Sequence, residues 1–235
     1  MKITKRSLAV IFLLLATLFI LINSSLFTVK EIEVRGNYSL SAEEVIDRLG
    51  LEKGISIWDI NVQKLRLRLQ PDLLVESASV RRQLPDKLVV EIIERQGVGW
   101  IVASKFSYLV DKEGHILQKQ EIEKEAGLEL PLLMGFRSLT IEEDRILINQ
   151  EVEAVLAYLS RFSRDRLAQI SEVIIDGDII LIHLLNKTEI RTSTERPVLE
   201  MTGIIFSLWD TLQEGNVEYL DLRFKGAPVI KYKNR

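Results

Sequence analysis

The sequence contains no cysteine, and histidine occurs only twice in its 235 residues. Without a thiol, the chain cannot carry out thiol catalysis, bind metals through thiolates or take part in disulfide exchange. His115 and His183 lie far apart, and neither has a second ligand at the i+3 or i+4 spacing of helical metal sites. We therefore predict no metal centre and expect both histidines at surface or half-buried positions of a sheet.

The common signatures of catalytic and nucleotide-binding loops are also missing. The sequence has no Gly-x-Ser-x-Gly elbow, no Gly-x-x-x-x-Gly-Lys loop and no Gly-x-Gly-x-x-Gly fingerprint. We predict no catalytic residues, no cofactor and no small-molecule substrate. A cell-wall enzyme with an unrecognised site is the competing interpretation.

Extended runs of basic residues are absent, and the formal net charge is −3. Three of the basic residues, Lys2, Lys5 and Arg6, stand at the extreme N-terminus, so the rest of the chain is more negative still. Such a balance gives no electrostatic basis for binding nucleic acid or another polyanion. Protein partners are favoured instead.

One long uncharged stretch, from Ser7 to Val29, follows these basic residues. As a helix it would measure about 34 Å, enough to cross a hydrocarbon core of about 30 Å. Positive charge is retained on the cytoplasmic side of membranes. We therefore predict a cytoplasmic tail over 1–6, a transmembrane helix over 7–27 and extracytoplasmic residues thereafter, anchored in the lipid bilayer.

A cleaved signal peptide is the alternative interpretation of the same stretch. No alanine occurs between Ala16 and Ala42, and the segment 23–25, Asn-Ser-Ser, is a poor cleavage site. The pattern favours a retained anchor, and either interpretation exports the remainder of the chain.

Residues 28–96 show the order strand, helix, helix, strand, strand. Ser41 and Glu44 form a capping-box pattern at the start of the first helix. The stretch 59–70 is ambiguous, because alternating leucines would suit a strand, but its i, i+3, i+7 apolar spacing and Pro71 favour a helix. The strands are predicted at 30–37, 75–82 and 88–94.

Residues 97–235 combine many short strands with two amphipathic helices. The predicted strands lie at 100–102, 106–110, 115–117, 170–175, 179–185, 188–192 and 217–224, and the helices at 151–162 and after Pro197. The last strand, 217–224, is expected to close the domain. The whole sequence therefore predicts an α+β protein with a mixed sheet and packed helices.

Two motifs resemble one known family. The run PDLLVESASVRRQLPDKLVVEIIERQGVGWI resembles the POTRA domain of the cell-division FtsQ/DivIB family, and VEYLDLRFKGAPVIK resembles the end of that family's β domain. The resemblance covers nearly all of residues 28–233. It implies a POTRA domain over 28–96, of order β-α-α-β-β, and an FtsQ-type β domain over 97–235.

The resemblance implies a non-enzymatic bitopic scaffold of the bacterial divisome, in the cytoplasmic membrane at the division septum. Such a protein links early and late division proteins and helps control septal peptidoglycan synthesis by binding FtsB/DivIC and FtsL. The family holds FtsB/DivIC through the last strands of the β domain. By position, the implied partner-binding residues are Tyr219, Asp221, Arg223, Phe224, Val229 and Ile230.

Two questions stay open from the residues themselves. The strand 217–224 could be an edge that recruits a partner strand, but the residues alone favour an internal strand, and only the resemblance favours the edge. A POTRA-containing export component that binds substrates by strand addition is the second functional interpretation. Such proteins normally carry a membrane barrel, and residues beyond 96 do not show its long ladder of amphipathic strands.

Overall fold

The computed structural model describes residues 5–51, 54–122 and 129–233. The chain divides into two compact units, Met1–Arg95 and Gln96–Arg235. Each unit encloses its own cluster of buried apolar side chains. Both units combine helices with a sheet, so the predicted α+β class is confirmed.

The first unit begins with helix α1, Lys5–Ile22, followed by a 3₁₀ turn at Ser25–Phe27. The predicted membrane span, 7–27, includes most of this helix and the turn. In the part of the chain that the structure describes, no helix combines the length and the apolarity that membrane crossing requires. The predicted span stays a prediction.

The remainder of the first unit has the predicted order of elements. They are β1 (Glu31–Arg35), α2 (Ala42–Leu49), α3 (Val62–Leu69), β2 (Val75–Gln83) and β3 (Lys87–Glu94). The three strands lie in the order β1-β3-β2, with β1 parallel and β2 antiparallel to the central β3. Both helices contribute buried side chains to one core with this sheet.

Local capping explains why the two helices form where they do. The Ser41 side chain accepts the N–H of Glu44, and the Glu44 carboxylate accepts the N–H of Ser41, so the predicted capping box is confirmed. In α3, Leu65 and Leu69 are buried whereas Leu67 is 58% exposed. In a helix, Leu65 and Leu69 share one face and Leu67 lies on another, as observed. The strand interpretation of this stretch is therefore excluded.

The second unit is built on one sheet whose described strands lie in the order β12-β11-β10-β9-β8-β7-β4-β5-β6. The strands are β4 (Gly97–Ala103), β5 (Phe106–Asp111), β6 (Ile116–Glu121), β7 (Leu132–Met134), β8 (Ile170–Asp176), β9 (Ile179–Leu184), β10 (Glu189–Ser193), β11 (Val217–Asp221) and β12 (Val229–Tyr232). Three neighbouring pairs are parallel, namely β10 with β11, β7 with β8 and β4 with β7, and the other five are antiparallel, as expected for a mixed sheet.

Helices of the second unit cover one side of the sheet with apolar residues. They are α4 (Gln150–Leu159), α5 (Arg164–Leu167), α6 (Val198–Ser207) and α7 (Trp209–Gln213). Tyr158 of α4 is fully buried, and its hydroxyl lies 2.8 Å from Oγ1 of Thr192 on β10. This hydrogen bond ties the helix layer to the C-terminal half of the sheet.

Candidate partner-binding edge of the C-terminal sheet

The last strand of the sheet is not the one that the sequence indicated. β11 ends at Asp221 and is paired on both sides, parallel to β10 and antiparallel to β12. The expectation that 217–224 closes the domain is therefore wrong. The chain reverses after Asp221, where Gly226 has φ +125 and open space around its Cα, and β12 returns along the outside of β11.

The backbone N–H and C=O groups of β12 point alternately toward β11 and away from it. The N–H of Lys233 donates to the carbonyl of Asn216, 2.8 Å away, so at this position the backbone faces β11. Because donors and acceptors alternate along an antiparallel strand, Lys231 also faces β11. The N–H and C=O groups of Ile230 and Tyr232 are then directed to the open side of the sheet.

The side chains of β12 differ in their surroundings. Val229 is 53% and Tyr232 is 54% exposed, whereas Ile230 packs against the core of the second unit. The Lys231 ammonium lies 2.8 Å from the Glu218 carboxylate of β11. Of the two predicted contact residues here, Val229 is thus accessible, and Ile230 holds the strand on the domain.

Asp221, Arg223 and Phe224 form a connected group at the end of β11. Arg223 donates from Nε to Oδ1 of Asp221 at 3.0 Å and from Nη2 to Oδ2 at 2.6 Å. The Arg223 guanidinium lies 5.3 Å from the ring centre of Phe224, which is 69% exposed. Asp221 is only 8% exposed, so it positions the other two side chains.

The pKa values of this pair move in opposite directions. The hydrogen bonds from Arg223 lower the pKa of Asp221 below its usual range, against the opposing effect of burial. The same hydrogen bonds raise the pKa of Arg223. Both side chains are therefore charged near neutral pH, and Arg223 keeps a fixed orientation beside Phe224.

Tyr219 occupies the polar face of the sheet, away from the helices. The Arg191 guanidinium of β10 lies 4.0 Å from its ring centre, and the Lys231 ammonium lies 5.6 Å away. The ring is thus flanked by two cations, and cation–π contacts of this kind hold an aromatic ring in place. Tyr219 is half-buried, so it presents only part of its surface.

A row of charged side chains continues from Arg191 across the sheet. Arg191 pairs with Glu189, and His183 of β9 lies between Glu189, at 3.0 Å, and Glu172 of β8, at 2.8 Å. Burial favours a higher pKa for Glu189, but the hydrogen bonds from Arg191 and His183 outweigh it and lower the pKa. The expectation that His183 is a half-buried sheet residue is confirmed.

Three cations surround a depression next to Phe224. Arg196, Arg223 and Lys225 line it together with two acids, Asp178 and Glu195. Within the described residues, the buried Nε of Arg196 has no hydrogen-bond partner. The cations and the acids nearly balance, since Arg223 is already paired with Asp221, so the exposed ring of Phe224 is the main contact that this depression offers.

His115, the other histidine, belongs to a turn. Asp111, Glu113 and His115 bring possible ligand atoms within 4.8 Å of one another. The i+3 and i+4 spacing in the sequence does not reveal this grouping, because Asp111 and Glu113 precede His115. Oδ1 of Asp111 accepts the N–H of Glu113 at 2.9 Å and that of His115 at 2.8 Å, so the carboxylate stabilises the turn between β5 and β6.

Two features of this region were not anticipated, namely β12 as the outer strand and Tyr232 as an exposed aromatic on it. The tetrapeptide 229–232 is short for a strand and follows a Gly-Ala-Pro segment. A turn followed by alternating apolar and basic residues is the signal that could have revealed it.

Comparison with known families assigns both units. Residues 27–95 match the POTRA domain, FtsQ-type, and residues 100–223 match the C-terminal domain of cell division protein FtsQ/DivIB. The second match alone includes more than half of the chain.

Individual relatives agree with these assignments. The chain is 27% identical to cell division protein FtsQ of Syntrophotalea carbinolica over 64% of this chain and 52% of the relative. It is 26% identical to cell division protein DivIB of Clostridium acetobutylicum over 86% of this chain and 82% of the relative. A DivIB of Geobacillus kaustophilus is 30% identical over 48% of this chain and 43% of the relative.

The chain thus spans about half the length of the Syntrophotalea relative and most of the Clostridium one. The family is not known as a family of enzymes. With its two domains matched in order, the chain belongs to the FtsQ/DivIB family of cell division proteins.

Proposed function

We propose that this protein is a non-enzymatic bitopic scaffold of the bacterial divisome, which binds FtsB/DivIC-like and FtsL-like proteins at the septum. It links early and late division proteins in this way and helps control septal peptidoglycan synthesis. The observation that carries the proposal is the open side of β12. An extended segment of a partner can continue the sheet there through main-chain hydrogen bonds.

The surroundings of the edge support this mode of binding. Phe224 is an exposed aromatic held by Arg223, and aromatic anchors of this type dominate interface energetics. The depression next to Phe224 adds charged groups of both signs, which suit a partner with polar side chains next to its added strand. The contact set is thus Tyr219, Arg223, Phe224, Val229 and Tyr232, with Asp221 and Ile230 in supporting positions.

The proposed location is the cytoplasmic membrane, with the N-terminus in the cytoplasm and both domains outside. Large apolar side chains are exposed on all sides of α1, for example Phe12, Leu13 and Phe19. A helix that is apolar all round normally lies in a core or in lipid. The Thr17 hydroxyl donates to the carbonyl of Leu13 at 2.9 Å, so this polar group is satisfied within the helix.

The export interpretation receives no comparable support. The relatives that match this chain bear the names of cell division proteins, and the second unit matches the FtsQ/DivIB C-terminal domain. We therefore retain the division scaffold as the proposal.

The test removes the edge-facing N–H of Tyr232 by the substitution Tyr232→Pro. Proline is tolerated in an edge strand where the N–H faces away from the ladder, so the pairing with β11 remains. We expect binding to the cognate FtsB/DivIC, measured with the purified extracytoplasmic parts, to weaken at least about tenfold through loss of a main-chain hydrogen bond and steric obstruction.

Two controls accompany this variant. Tyr232→Ala removes the ring and keeps the N–H, so it separates the two contributions. Glu121→Pro places proline on β6, at the opposite edge of the sheet. The N–H of Ile122 donates to the carbonyl of Lys105, so the N–H of the preceding residue, Glu121, faces away from β5. Binding that survives Tyr232→Pro, or that is lost equally in Glu121→Pro, would exclude strand addition at β12.

A further inference from the structure

An exposed tryptophan lies close to the end of α1. Trp58 is 42% exposed, and its ring centre lies 5.6 Å from that of Phe27 in the 3₁₀ turn. Leu26 of the same turn is also exposed. We call these three residues, Leu26, Phe27 and Trp58, the aromatic shelf.

Backbone hydrogen bonds join the two segments that carry the shelf. The N–H of Ile57 donates to the carbonyl of Phe27 at 2.8 Å, and the N–H of Val29 donates to the carbonyl of Ile55 at 2.9 Å. An antiparallel bridge between Thr28 and Ser56 completes the contact. The position of Trp58 is therefore tied to the residues that follow α1.

Arg82 of β2 fixes the same loop from the sheet. Its Nε donates to the carbonyl of Ile57 at 2.8 Å, and its Nη2 donates to the carbonyl of Ile60 at 2.5 Å. These carbonyls flank Trp58 on either side. An exposed indole held from two directions is preorganised to contact something outside the unit.

The distance to α1 is short. Phe27 follows Ile22, the last residue of α1, by a segment that could span at most about 18 Å if extended. That segment is compact, because the Ser24 hydroxyl donates to the carbonyl of Leu21 at 2.6 Å and the Thr28 hydroxyl donates to that of Ser25 at 2.9 Å. The shelf therefore lies within the reach of a headgroup layer that begins where α1 ends.

We propose that the aromatic shelf rests in the outer headgroup layer of the bilayer and fixes the POTRA domain at the membrane surface. The inference rests on the proposed anchor over 7–27. Tryptophan is enriched at membrane interfaces because its ring is apolar and its N–H can still reach water or headgroups. Direct continuity of the shelf with the apolar α1 selects lipid, rather than another protein, as the contact.

The test uses the full chain reconstituted in vesicles of phosphatidylcholine and phosphatidylglycerol. The phosphatidylcholine is brominated near the headgroup end of one acyl chain, because bromine quenches indole fluorescence only at close range. Trp100 and Trp209 are buried in the second unit, so the difference between the unaltered chain and Trp58→Phe reports Trp58 alone. Phenylalanine keeps a ring next to Phe27, and near-ultraviolet circular dichroism verifies the fold.

We expect the brominated lipid to remove roughly a third of the emission of the unaltered chain, because one of three tryptophans is near the lipid. Trp58→Phe should lose this quenching. As a positional control, Tyr38→Trp in the Trp58→Phe background should remain unquenched, because Tyr38 follows the far end of β1 and is almost fully exposed.

Flotation of the same vesicles separates the two ways in which the proposal can fail. If the protein floats with the vesicles and Trp58 is not quenched, the anchor holds and the shelf does not meet lipid. The inference is then overturned. If the protein does not float, the anchor itself fails, and the shelf proposal falls with it.

Discussion

The guanidinium of Arg223 is turned back onto the carboxylate of Asp221, two residues earlier in the chain, through hydrogen bonds of 3.0 Å and 2.6 Å. The backbone N–H of Arg223 donates to the same carboxylate at 3.0 Å. One buried acid thus fixes both the direction of the chain after β11 and the cation next to Phe224.

Replacement of that acid by its amide should weaken partner binding without unfolding the domain. In Asp221→Asn, the side-chain amide cannot accept both hydrogen bonds of the Arg223 guanidinium. We therefore expect the affinity for the proposed FtsB/DivIC-like partner to fall about tenfold. Isothermal titration calorimetry measures the change. Asp165→Asn, an exposed aspartate on α5, should bind within twofold of the unaltered protein, and an equal loss in both variants would contradict the assigned role.

Phe224 should be an energetic anchor of the interface. It is 69% exposed and Leu199 of α6 is 68% exposed, so the two provide a matched comparison of large apolar side chains. We expect Phe224→Ala to cost about 2 kcal/mol of binding free energy and Leu199→Ala almost none. Both variants should melt within a few degrees of the unaltered chain. Equal binding of the two would remove Phe224 from the interface.

Glu94, at the end of β3, should stabilise the first unit in a pH-dependent way. Burial favours a higher pKa for Glu94, but the backbone N–H donors of Leu40, Ser39 and Tyr38 outweigh it and hold the pKa below its usual range. A carboxyl with a lowered pKa stabilises the folded state at pH above its unfolded value, and this stability is lost as the pH falls through the folded pKa.

We therefore expect Glu94→Gln to lower the free energy of unfolding by about 1 to 3 kcal/mol near neutral pH, and the difference to shrink in acid. Urea unfolding at a series of pH values measures both effects. Glu43→Gln, an exposed acid in the first turn of α2, should cost less than about 1 kcal/mol. A difference for Glu94→Gln that grows in acid would contradict this account.

Gly36 ends β1 in a conformation that excludes any side chain. Its φ is +79, and an added Cβ would lie 2.1 Å from the carbonyl oxygen of Ile92. Gly54 has a φ of +92 with open space around it, so it carries the backbone strain without the collision. We expect Gly36→Ala to destabilise the unit by more than about 3 kcal/mol and Gly54→Ala by about 1 kcal/mol. Thermal unfolding distinguishes the two.

The buried hydroxyl of Tyr158 should matter for stability and should resist ionisation. Burial raises the pKa of Tyr158, although the hydrogen bond with Thr192 acts in the opposite direction. We expect Tyr158→Phe to cost about 1 to 2 kcal/mol, because Thr192 loses its partner in the core. In an alkaline absorbance titration, Tyr158 should ionise only when the second unit unfolds, and early ionisation of all tyrosines would contradict its burial.

Local signals in the sequence were sufficient for most elements of the first unit. The capping box at Ser41 and the apolar spacing of Leu65 and Leu69 each specify a short helix without reference to distant residues. Leu88, Val90 and Ile92 alternate along β3 and are all buried, as their period predicts. Both helices and all three strands can therefore be predicted from the spacing of apolar residues and from the helix-capping residues.

The sheet edge could not be obtained in the same way. Which strand is outermost depends on long-range pairing, and β11 has a strong apolar pattern whether or not a further strand covers it. β12 is only four residues long, and β7 only three, so neither shows an alternation long enough to identify a strand. The orientation of Arg223 on Asp221 likewise depends on where β11 ends. The strand predicted from the sequence ends at 224, three residues beyond its end in the structure.

The central claim, strand addition at β12, is tested most directly by amide hydrogen exchange of residues 28–235, alone and in complex with the proposed FtsB/DivIC-like partner. We predict that the amides of Ile230 and Tyr232 exchange at least about tenfold more slowly in the complex, whereas the amide of Lys231, already directed to β11, changes little. A complex that forms while Ile230 and Tyr232 exchange at unchanged rates would contradict the account.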